Sequence, residues 1–301
     1  MNRRNFMEAS TILGATALFS PTKCKTQDKP QNVFDFKLGY QLYSVNEDMN
    51  KDPFKTLEAL KAMGYQDFEI YGFDPTNVSY YTHPVADFKK RLEDMELTTT
   101  SGHYGFANYM DKSKDELHFF VDQCIKGAKV LNTPYITWPW MPDSRRNMET
   151  YKIMSAMLND IGEQITAAGL GFAYHNHGFE FIDHDGETFY DIILQETEES
   201  LVKLQLDMYW SEHSSSLSPQ EIIDKHPGRF VMWHIKDMDK VTRDYTELGN
   251  GSIDYVSLLP DPKVSGLEYY YLEQGGNFTH SAMKSAEDSA QYFKQKLQHI
   301  L

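Results

Sequence analysis

The chain has 301 residues, a formal net charge of −15 at pH 7 and 14% aromatic residues. A chain of this length forms one large domain or two small ones. The negative charge argues against nucleic acid as a partner, because phosphate binding needs clustered Lys and Arg side chains. Aromatic side chains offer flat surfaces to the apolar faces of sugars, although they also fill cores.

The first thirty residues resemble an export signal. Arg3 and Arg4 are similar to a twin-arginine motif, and a weakly apolar run over 9–20 follows them. We therefore assign residues 1–30 to an export signal and linker and predict a periplasmic protein; a disordered basic terminus is the alternative. Cys24 follows a Pro-Thr-Lys triplet, a poor lipobox, which argues against a lipid anchor. No later run approaches the roughly 20 apolar residues of a membrane span.

Strand-like and helix-like segments alternate through the rest of the chain. Strands are predicted at 36–45, 68–71, 97–103, 134–140, 171–180, 202–207, 229–237 and 267–273. Apolar residues at helical spacing predict helices at 53–63, 85–95, 115–131, 147–168, 189–197, 218–225, 253–259 and 281–301. Gly64 and Gly169 follow two of these helices, at the position typical of a C-terminal cap.

Eight strands that alternate with helices indicate right-handed βαβ units and a parallel sheet. An open sheet would usually have a glycine-rich phosphate turn after its first strand, and this sequence has none there. We therefore predict the α/β class and a (β/α)8 TIM barrel, folded as a single domain over residues 34–301.

Functional sites of such barrels lie at the C-terminal ends of the strands, so the polar residues there are the candidates. The densest group ends the fifth strand, where an apolar run stops at His175, Asn176 and His177. A strand end has little structural use for such a cluster, whereas imidazoles serve as metal ligands and proton carriers. The full set of candidates is Gln41, Tyr43, Glu69, His103, Trp138, Trp140, His175, His177, Asp207, His234, Lys236 and Glu273.

Asp207, His234 and Glu273 end three consecutive strands. Two carboxylates and an imidazole suit one divalent metal ion, which could be Mn²⁺, Co²⁺, Mg²⁺, Fe²⁺ or Zn²⁺. The fourth ligand should come from the fifth strand. Either histidine of the His-Asn-His run has the right position, but we favour Glu180, because a hard cation prefers oxygen. Singly, each of these residues is explained as a helix cap or a solvated charge, and only their combination predicts a metal site.

Five segments together carry a family resemblance: Gly39-Tyr40-Gln41-Leu42-Tyr43-Ser44-Val45, Tyr174-His175-Asn176-His177, Leu206-Asp207, His234-Ile235-Lys236-Asp237 and Glu247-Leu248-Gly249-Asn250-Gly251-Ser252-Ile253-Asp254. They resemble the xylose isomerase-like TIM barrel superfamily, in particular the exported sugar phosphate isomerase/epimerase branch with its 3-keto-glycoside lyases. The resemblance implies one divalent cation held by Glu, Asp, His and Glu from strands five to eight. Asp207, His234 and Glu273 match that pattern. His175 stands near the place where the strand-five Glu is expected, which is a departure from it.

The predicted function is a metal-dependent isomerase or epimerase that acts on a keto-sugar through an enediolate. The metal polarises the carbonyl, and a base removes the proton from the neighbouring carbon. Glu273, and Glu180 if it is not a ligand, are further candidates for that base. The other catalytic candidates are His177, His175, Lys236 and His103. The predicted substrate-binding residues are Gln41, Tyr43, Glu69, Trp138 and Trp140.

Two other functions stay open. A 3-keto-glycoside 1,2-lyase, or a related dehydratase, would eliminate a β-substituent from the same type of intermediate. Export and the lack of a concentrated Lys/Arg site favour such a neutral sugar over a phosphorylated one. A non-catalytic sugar-binding module needs no base beside a metal, so His177→Ala would distinguish it from an enzyme. The sequence leaves the sugar, the metal and the formation of homo-oligomers open.

Overall fold

Eight parallel strands close into a barrel in the computed structural model, which describes residues 36–301. The strands are β1 Gly39–Gln41, β2 Asp67–Ile70, β3 Thr98–His103, β4 Tyr135–Trp138, β5 Gly171–His175, β6 Lys203–Asp207, β7 Met232–Ile235 and β8 Tyr269–Leu272. Each strand pairs with its neighbours in sequence, and β1 closes the barrel by pairing with β8. The predicted TIM barrel is thus confirmed. The export signal predicted for residues 1–30 lies outside the described residues.

The helices lie between the strands and after the last one. Those of the described residues are α1 Asn46–Lys51, α2 Pro53–Met63, α3 Val85–Asp94, α4 Lys114–Leu131, α5 Met148–Ala167, α6 Phe189–Glu196, α7 Met208–Ser214, α8 Pro219–Lys225, α9 Tyr255–Leu258, α10 Pro262–Ser265 and α11 Ala282–Lys296. None of these helices has both the length and the apolar composition that crossing a membrane requires.

Helix α2 shows why the sequence pattern predicts these boundaries well. Asp52 caps its start by accepting a hydrogen bond from the backbone N–H of Lys55 at 3.1 Å. Pro53 occupies the first turn, where its missing N–H costs nothing. Gly64 ends the helix in the left-handed region, at φ +99°. The helix predicted over 53–63 is confirmed to the residue.

The first predicted strand is shorter than expected. Only Gly39–Gln41 of the range 36–45 is a strand, and a 3₁₀ helix follows over Leu42–Val45. The side chain of Gln41 accepts a hydrogen bond from the backbone N–H of Tyr43 at 3.0 Å and so starts that turn. The chain therefore bends at the rim of the barrel instead of continuing away from it.

The fifth strand is also shorter than the predicted range 171–180. It ends at His175, and a 3₁₀ helix forms at Phe179–Phe181. The carboxylate of Glu180 accepts a hydrogen bond from the backbone N–H of His177 at 2.8 Å, which stabilises the turn. The segments that the sequence did not predict include α7, α10 and a three-stranded sheet, formed by Phe73–Asp74, Ser79–Tyr80 and His83–Pro84.

Alternation along the strands separates two apolar regions. Outward side chains such as Tyr174 and Trp233 belong to the large core between the strands and the helices. Tyr135, Met232 and Tyr271 belong to a separate small apolar cluster, which fills the inside of the barrel. Towards the C-terminal ends of the strands, the inward positions carry polar side chains. The fold therefore places a layer of polar side chains above the small apolar cluster. This layer, here called the polar floor, contains Gln41, Glu69, Ser101, His103 and Gln205.

Candidate active site

Glu69 on β2 lies at the centre of the polar floor and is completely buried. Its carboxylate accepts hydrogen bonds from Gln41 Nε2 at 2.5 Å, Ser101 Oγ at 2.6 Å and Gln205 Nε2 at 2.7 Å. It also lies 2.6 Å from His234 Nε2. Burial raises the pKa of Glu69, but His103 and His234 outweigh that effect and hold the pKa well below its usual range. Glu69 is therefore an ionised, fully bonded carboxylate.

The network around Glu69 assigns a hydrogen-bonding role to each nitrogen of the His103 ring. The oxygen of the Gln41 amide accepts from the backbone, so its nitrogen faces His103 Nδ1 at 3.2 Å as a donor. Nδ1 of His103 is thus an acceptor, and Nε2 carries the proton. That Nε2 lies 2.9 Å from both Gln205 Oε1 and Glu69 Oε2. Both nitrogens of His103 point to the floor, which suits an orienting role better than proton donation into the cavity above.

Gln205 is a site residue that the sequence reasoning missed. It lies on β6, two residues before Asp207, and bonds both Glu69 and His103. Because side chains alternate along a strand, the second residue before a candidate faces the same side. Extending the candidate list inward by one such step would have found it.

Asp207, His234 and Glu273 come together, as their strand ends predict. Their ligand atoms lie within 4.8 Å of one another. His234 Nδ1 lies 2.5 Å from Glu273 Oε2. Burial lowers the pKa of His234, but Glu69 and Glu273 outweigh it and raise the pKa to about 9. His234 is therefore an imidazolium at neutral pH in this arrangement.

The ammonium group of Lys236 lies between two of these carboxylates. Its Nζ is 2.6 Å from Asp207 Oδ2 and 2.8 Å from Glu273 Oε2. Burial would lower the pKa of Lys236, but the two carboxylates outweigh it and raise the pKa above its usual range. Burial would raise the pKa of Glu273, but Lys236 and His234 outweigh this effect and hold the pKa below its usual range.

His175 and His177 are neutral imidazoles next to this group. Burial is the main reason why both pKa values fall, that of His175 well below its usual range and that of His177 to about 3. His175 Nε2 lies 3.7 Å from Asp207 Oδ2. Nδ1 of each ring is buried and has no hydrogen-bond partner within the described residues. These nitrogens are available to a ligand.

A cavity of about 640 Å³, here called the central cavity, lies above the polar floor. Its size is typical of small-molecule sites. The predicted site residues that line it are Tyr43, His103, Trp140, His175, His177, Lys236 and Glu273. Three tyrosines that the sequence did not single out also line it, Tyr71, Tyr104 and Tyr245. The other predicted substrate-binding residues, Gln41, Glu69 and Trp138, do not.

Trp138 lies outside the barrel, contrary to its predicted role in the pocket. It is completely buried, its ring stacks on Phe106 with centroids 5.2 Å apart, and its Nε1 donates to the carbonyl of Trp140 at 2.7 Å. The reason is register: Thr137 faces inward on β4, so the next residue faces the helices. Trp138 supports the wall and Trp140 forms it.

Glu180 is likewise not brought to the metal-ligand group. Its carboxylate accepts hydrogen bonds from the Tyr174 hydroxyl and from the backbone N–H of His177, both at 2.8 Å. Tyr174 is an outward residue of β5, so this contact holds Glu180 outside the barrel. Burial raises the pKa of Glu180 to about 8. The structure places His175, not Glu180, at the β5 position beside Asp207.

The residues present fit a divalent cation. Asp207, His234 and Glu273 form one group of converging ligand atoms, and His103, His175 and His234 form another. His175, Asp207, His234 and Glu273 would hold the ion, a set of two imidazoles and two carboxylates that suits Zn²⁺, Fe²⁺, Mn²⁺ or Co²⁺. For the ion to bind, Lys236 would have to leave Asp207 and Glu273, and His234 would have to lose the proton that it shares with Glu273.

No protein-family model matches the sequence, and no curated protein matches it. Solved structures do match. A sugar phosphate isomerase/epimerase from Parabacteroides distasonis is 24% identical, with a TM-score of 0.73 over 91% of this chain and 99% of that one. The IolI protein with a bound zinc atom is 17% identical, with a TM-score of 0.69 over 88% and 99% of the two chains. The 3-keto-D-glucoside 4-epimerase YcjR from E. coli is 16% identical, with a TM-score of 0.64 over 86% and 99%.

These likenesses confirm the resemblance seen in the sequence at the level of the fold. The chain shares its eight-stranded (β/α)8 barrel fold with these proteins.

Proposed function

We propose that this chain is a divalent-metal-dependent isomerase or epimerase of a keto-sugar. The observation that carries the proposal is the group of Asp207, His234 and Glu273, with His175 Nε2 3.7 Å from Asp207 Oδ2. His175, Asp207 and His234 lie on three consecutive strands and Glu273 directly follows the next one, all at the C-terminal end of the barrel, and two of the four line the central cavity. A bound divalent ion would polarise a sugar carbonyl and so acidify the neighbouring C–H bond.

His177 is the base that we assign to this C–H bond. It lines the central cavity, and its Nδ1 has no partner among the described residues. With a pKa of about 3 the ring is unprotonated at neutral pH, because burial and the Lys236 charge disfavour the imidazolium. Such a weak base needs a strongly acidified C–H bond, which is consistent with a polarised carbonyl.

The remaining cavity residues would orient the sugar. Lys236 is placed to donate to a sugar oxygen once it leaves Asp207, and Tyr245 lies next to it, with the ring centre 5.8 Å from Nζ. Tyr43 and Trp140 expose aromatic faces on which a sugar ring can stack. Lys236 is the only Lys or Arg among the described residues of this cavity, and it is already paired. A neutral sugar therefore suits the site better than a phosphorylated one.

A 3-keto-glycoside lyase is the second candidate. The same proton abstraction, followed by loss of a β-substituent, would give elimination instead of epimerisation. The observation in its favour is a further cavity beside the central one, which could hold a leaving group. The predicted export of the chain agrees with a neutral glycoside and stays a prediction.

The experiment that tests the proposal is NMR in D₂O with the metal-loaded protein, free ketoses and 3-keto-glucosides. We expect deuterium at the carbon next to the carbonyl together with a new epimer or isomer. Release of the aglycone would instead support the lyase. Asp207→Asn and Glu273→Gln should each abolish the reaction. Asn at 207 keeps the cap of α7, in which Asp207 Oδ1 accepts from Trp210 N at 3.1 Å.

Two controls make this test specific. Chelator-treated protein should be inactive and should recover on addition of Mn²⁺ or Zn²⁺. Glu180→Gln replaces another buried carboxyl group near the site and should stay active. Full activity of Asp207→Asn, or of the chelated protein, would refute metal-dependent chemistry. His177→Ala should lose turnover but keep metal and sugar binding, and unchanged turnover would remove His177 as the base.

A further inference from the structure

A second cavity of about 410 Å³, here called the side cavity, adjoins the central cavity. Trp140 and His177 line both of them. The side-cavity walls used in the argument below are Trp140, Arg146, His177, Phe179, Ile182 and Trp210. Because the two spaces share these two side chains, they lie next to each other, and a ligand in the central cavity that carries a substituent towards Trp140 and His177 can reach the side cavity.

The wall that contains Arg146 is held in place. Nε and Nη2 of Arg146 donate to the carbonyl of Met141 at 3.1 and 2.9 Å, and Nη1 pairs with Asp143 at 2.6 Å. The guanidinium carbon lies 3.9 Å from the centre of the Phe179 ring and 5.8 Å from that of Trp140. Its charge is thus already paired, so the wall offers a flat surface rather than a free cation for an anion.

Another part of the wall depends on a glycine. A Cβ atom at Gly178 would lie 2.5 Å from Ser214 Oγ and 2.9 Å from Trp210 Cε3. Only glycine lets α7 come this close to the loop after β5 without a shift. The side cavity is therefore part of the folded structure and needs no ligand to open it.

The chemistry of the side cavity favours a flat and uncharged group. No carboxylate and no lysine lies among its described lining residues. Trp140 and Ile182 are 43% and 54% exposed, which is unusual for large apolar side chains, and a ring seated there would cover them. A second sugar ring would bring several hydroxyl groups to walls with few hydrogen-bond partners. An aromatic ring has no such cost.

We propose that the side cavity binds an uncharged aromatic substituent of the sugar that occupies the central cavity. This inference rests on the proposed function and gives the substrate its class, an aryl-substituted keto-sugar such as an aryl glycoside. The sugar lies among His175, Lys236 and Glu273, and the aromatic ring lies between Trp140 and Ile182.

The test is calorimetric binding of phenyl β-D-glucoside and methyl β-D-glucoside to the metal-loaded full chain. Neither ligand carries a ketone, so binding is measured without turnover. We expect the phenyl glucoside to bind at least about tenfold more tightly, because only it can occupy the side cavity. Ile182→Glu should remove most of this preference and leave the affinity for the methyl glucoside within about twofold. The matched control is Ile153→Glu, since Ile153 is similarly exposed, at 58%, and lines neither cavity.

Several outcomes would overturn the proposal. These are equal affinities for the two glucosides, no measurable binding of the phenyl glucoside, or an equal loss for both ligands in Ile182→Glu. Methyl cellobioside that binds as tightly as the phenyl glucoside, with the same sensitivity to Ile182→Glu, would assign the cavity to a second sugar. Failure of the proposed reaction alone is distinguishable from these outcomes. The NMR experiment would then show no deuterium exchange, while the preference for the phenyl glucoside would persist.

Discussion

Nζ of Lys236 lies 2.6 Å from Oδ2 of Asp207, so a buried ion pair joins a lysine to a carboxylate that we propose as a metal ligand. The same ammonium lies 2.8 Å from Glu273 Oε2. Asp207 and Lys236 are buried and the Glu273 side chain is only 9% exposed, which leaves little water to weaken these contacts. The lysine thus holds together two carboxylates that would otherwise repel each other, at the place where a divalent cation would bind.

Replacing Lys236 with Met should strengthen metal binding. Without the Lys236 ammonium group, Asp207 and Glu273 have no cation between them, so a metal ion can bind without displacing one. We expect the affinity of chelator-treated protein for Mn²⁺ to rise by about tenfold or more, as measured by calorimetry. The thermal stability of the metal-free variant should fall, because a buried charge is left unpaired. Lys284→Met is the control, since the ion pairs of Lys284 with Glu287 and Asp288 lie on helix α11, away from the site. Weaker metal binding in Lys236→Met would mean that Lys236 positions the ligands instead of competing.

Metal affinity should rise with pH up to about pH 9. His234 has a pKa of about 9 in the metal-free arrangement, since Glu69 and Glu273 outweigh the effect of burial. Only the neutral imidazole can bind a metal, so each ion bound below pH 9 must release the His234 proton. We expect affinity to increase by about tenfold per pH unit between pH 6.5 and 8.5. Calorimetry in buffers of different ionisation enthalpy should count about one released proton. An affinity independent of pH would contradict this role of His234.

Glu180 should make the fold less stable as the pH rises. Burial raises its pKa from 4.5 to about 8 in the folded chain. The folded state therefore binds this proton more tightly than the unfolded state, and its contribution to stability is complete below pH 4.5. That contribution is lost as the pH rises to about 8, by an amount on the order of 4 kcal/mol.

Glu180→Gln should remove this pH dependence, because an amide can keep the contacts with Tyr174 and His177 without a charge. Urea unfolding at pH 5 and pH 8.5 measures the difference between the two proteins. We expect the free energy of unfolding of the variant, relative to that of the parent, to be higher at pH 8.5 than at pH 5. Its affinity for Mn²⁺ should be unchanged. Loss of metal binding in Glu180→Gln would restore Glu180 to the ligand set.

Gly39→Ala should severely destabilise the barrel. A Cβ atom there would lie 2.0 Å from the Tyr270 carbonyl oxygen, at the β1–β8 pairing that closes the barrel. Neither strand backbone can move without breaking that pairing, so we expect a loss of about 3 kcal/mol or more in urea unfolding. Gly186→Ala is the control. Gly186 has no atom within 4 Å of such a Cβ, and its φ of +96° should cost only about 1 kcal/mol. Equal losses would mean that the barrel relieves the clash at Gly39 at little cost.

The alternation of strands and helices was predictable because each element is determined by residues close together in the sequence. Periodic apolar residues, together with caps such as Asp52 and Gly64, define elements without reference to distant parts of the chain. The grouping of Asp207, His234 and Glu273 was predictable as well. Once eight parallel strands are recognised, barrel closure brings neighbouring strand ends together.

Only the tertiary structure decided which way the side chains at the strand ends face. The difference between Trp138 and Trp140, or between Glu180 and His175, is a matter of register and of one turn after β5. A shift of one residue along a strand exchanges the inside of the barrel for the outside, and the sequence pattern does not define strand ends that closely. The placement of Lys236 between two carboxylates, and the side cavity beside Trp140, depend on distances between separate strands and loops. Such distances result from the packing of the whole barrel and cannot be predicted from a local sequence pattern.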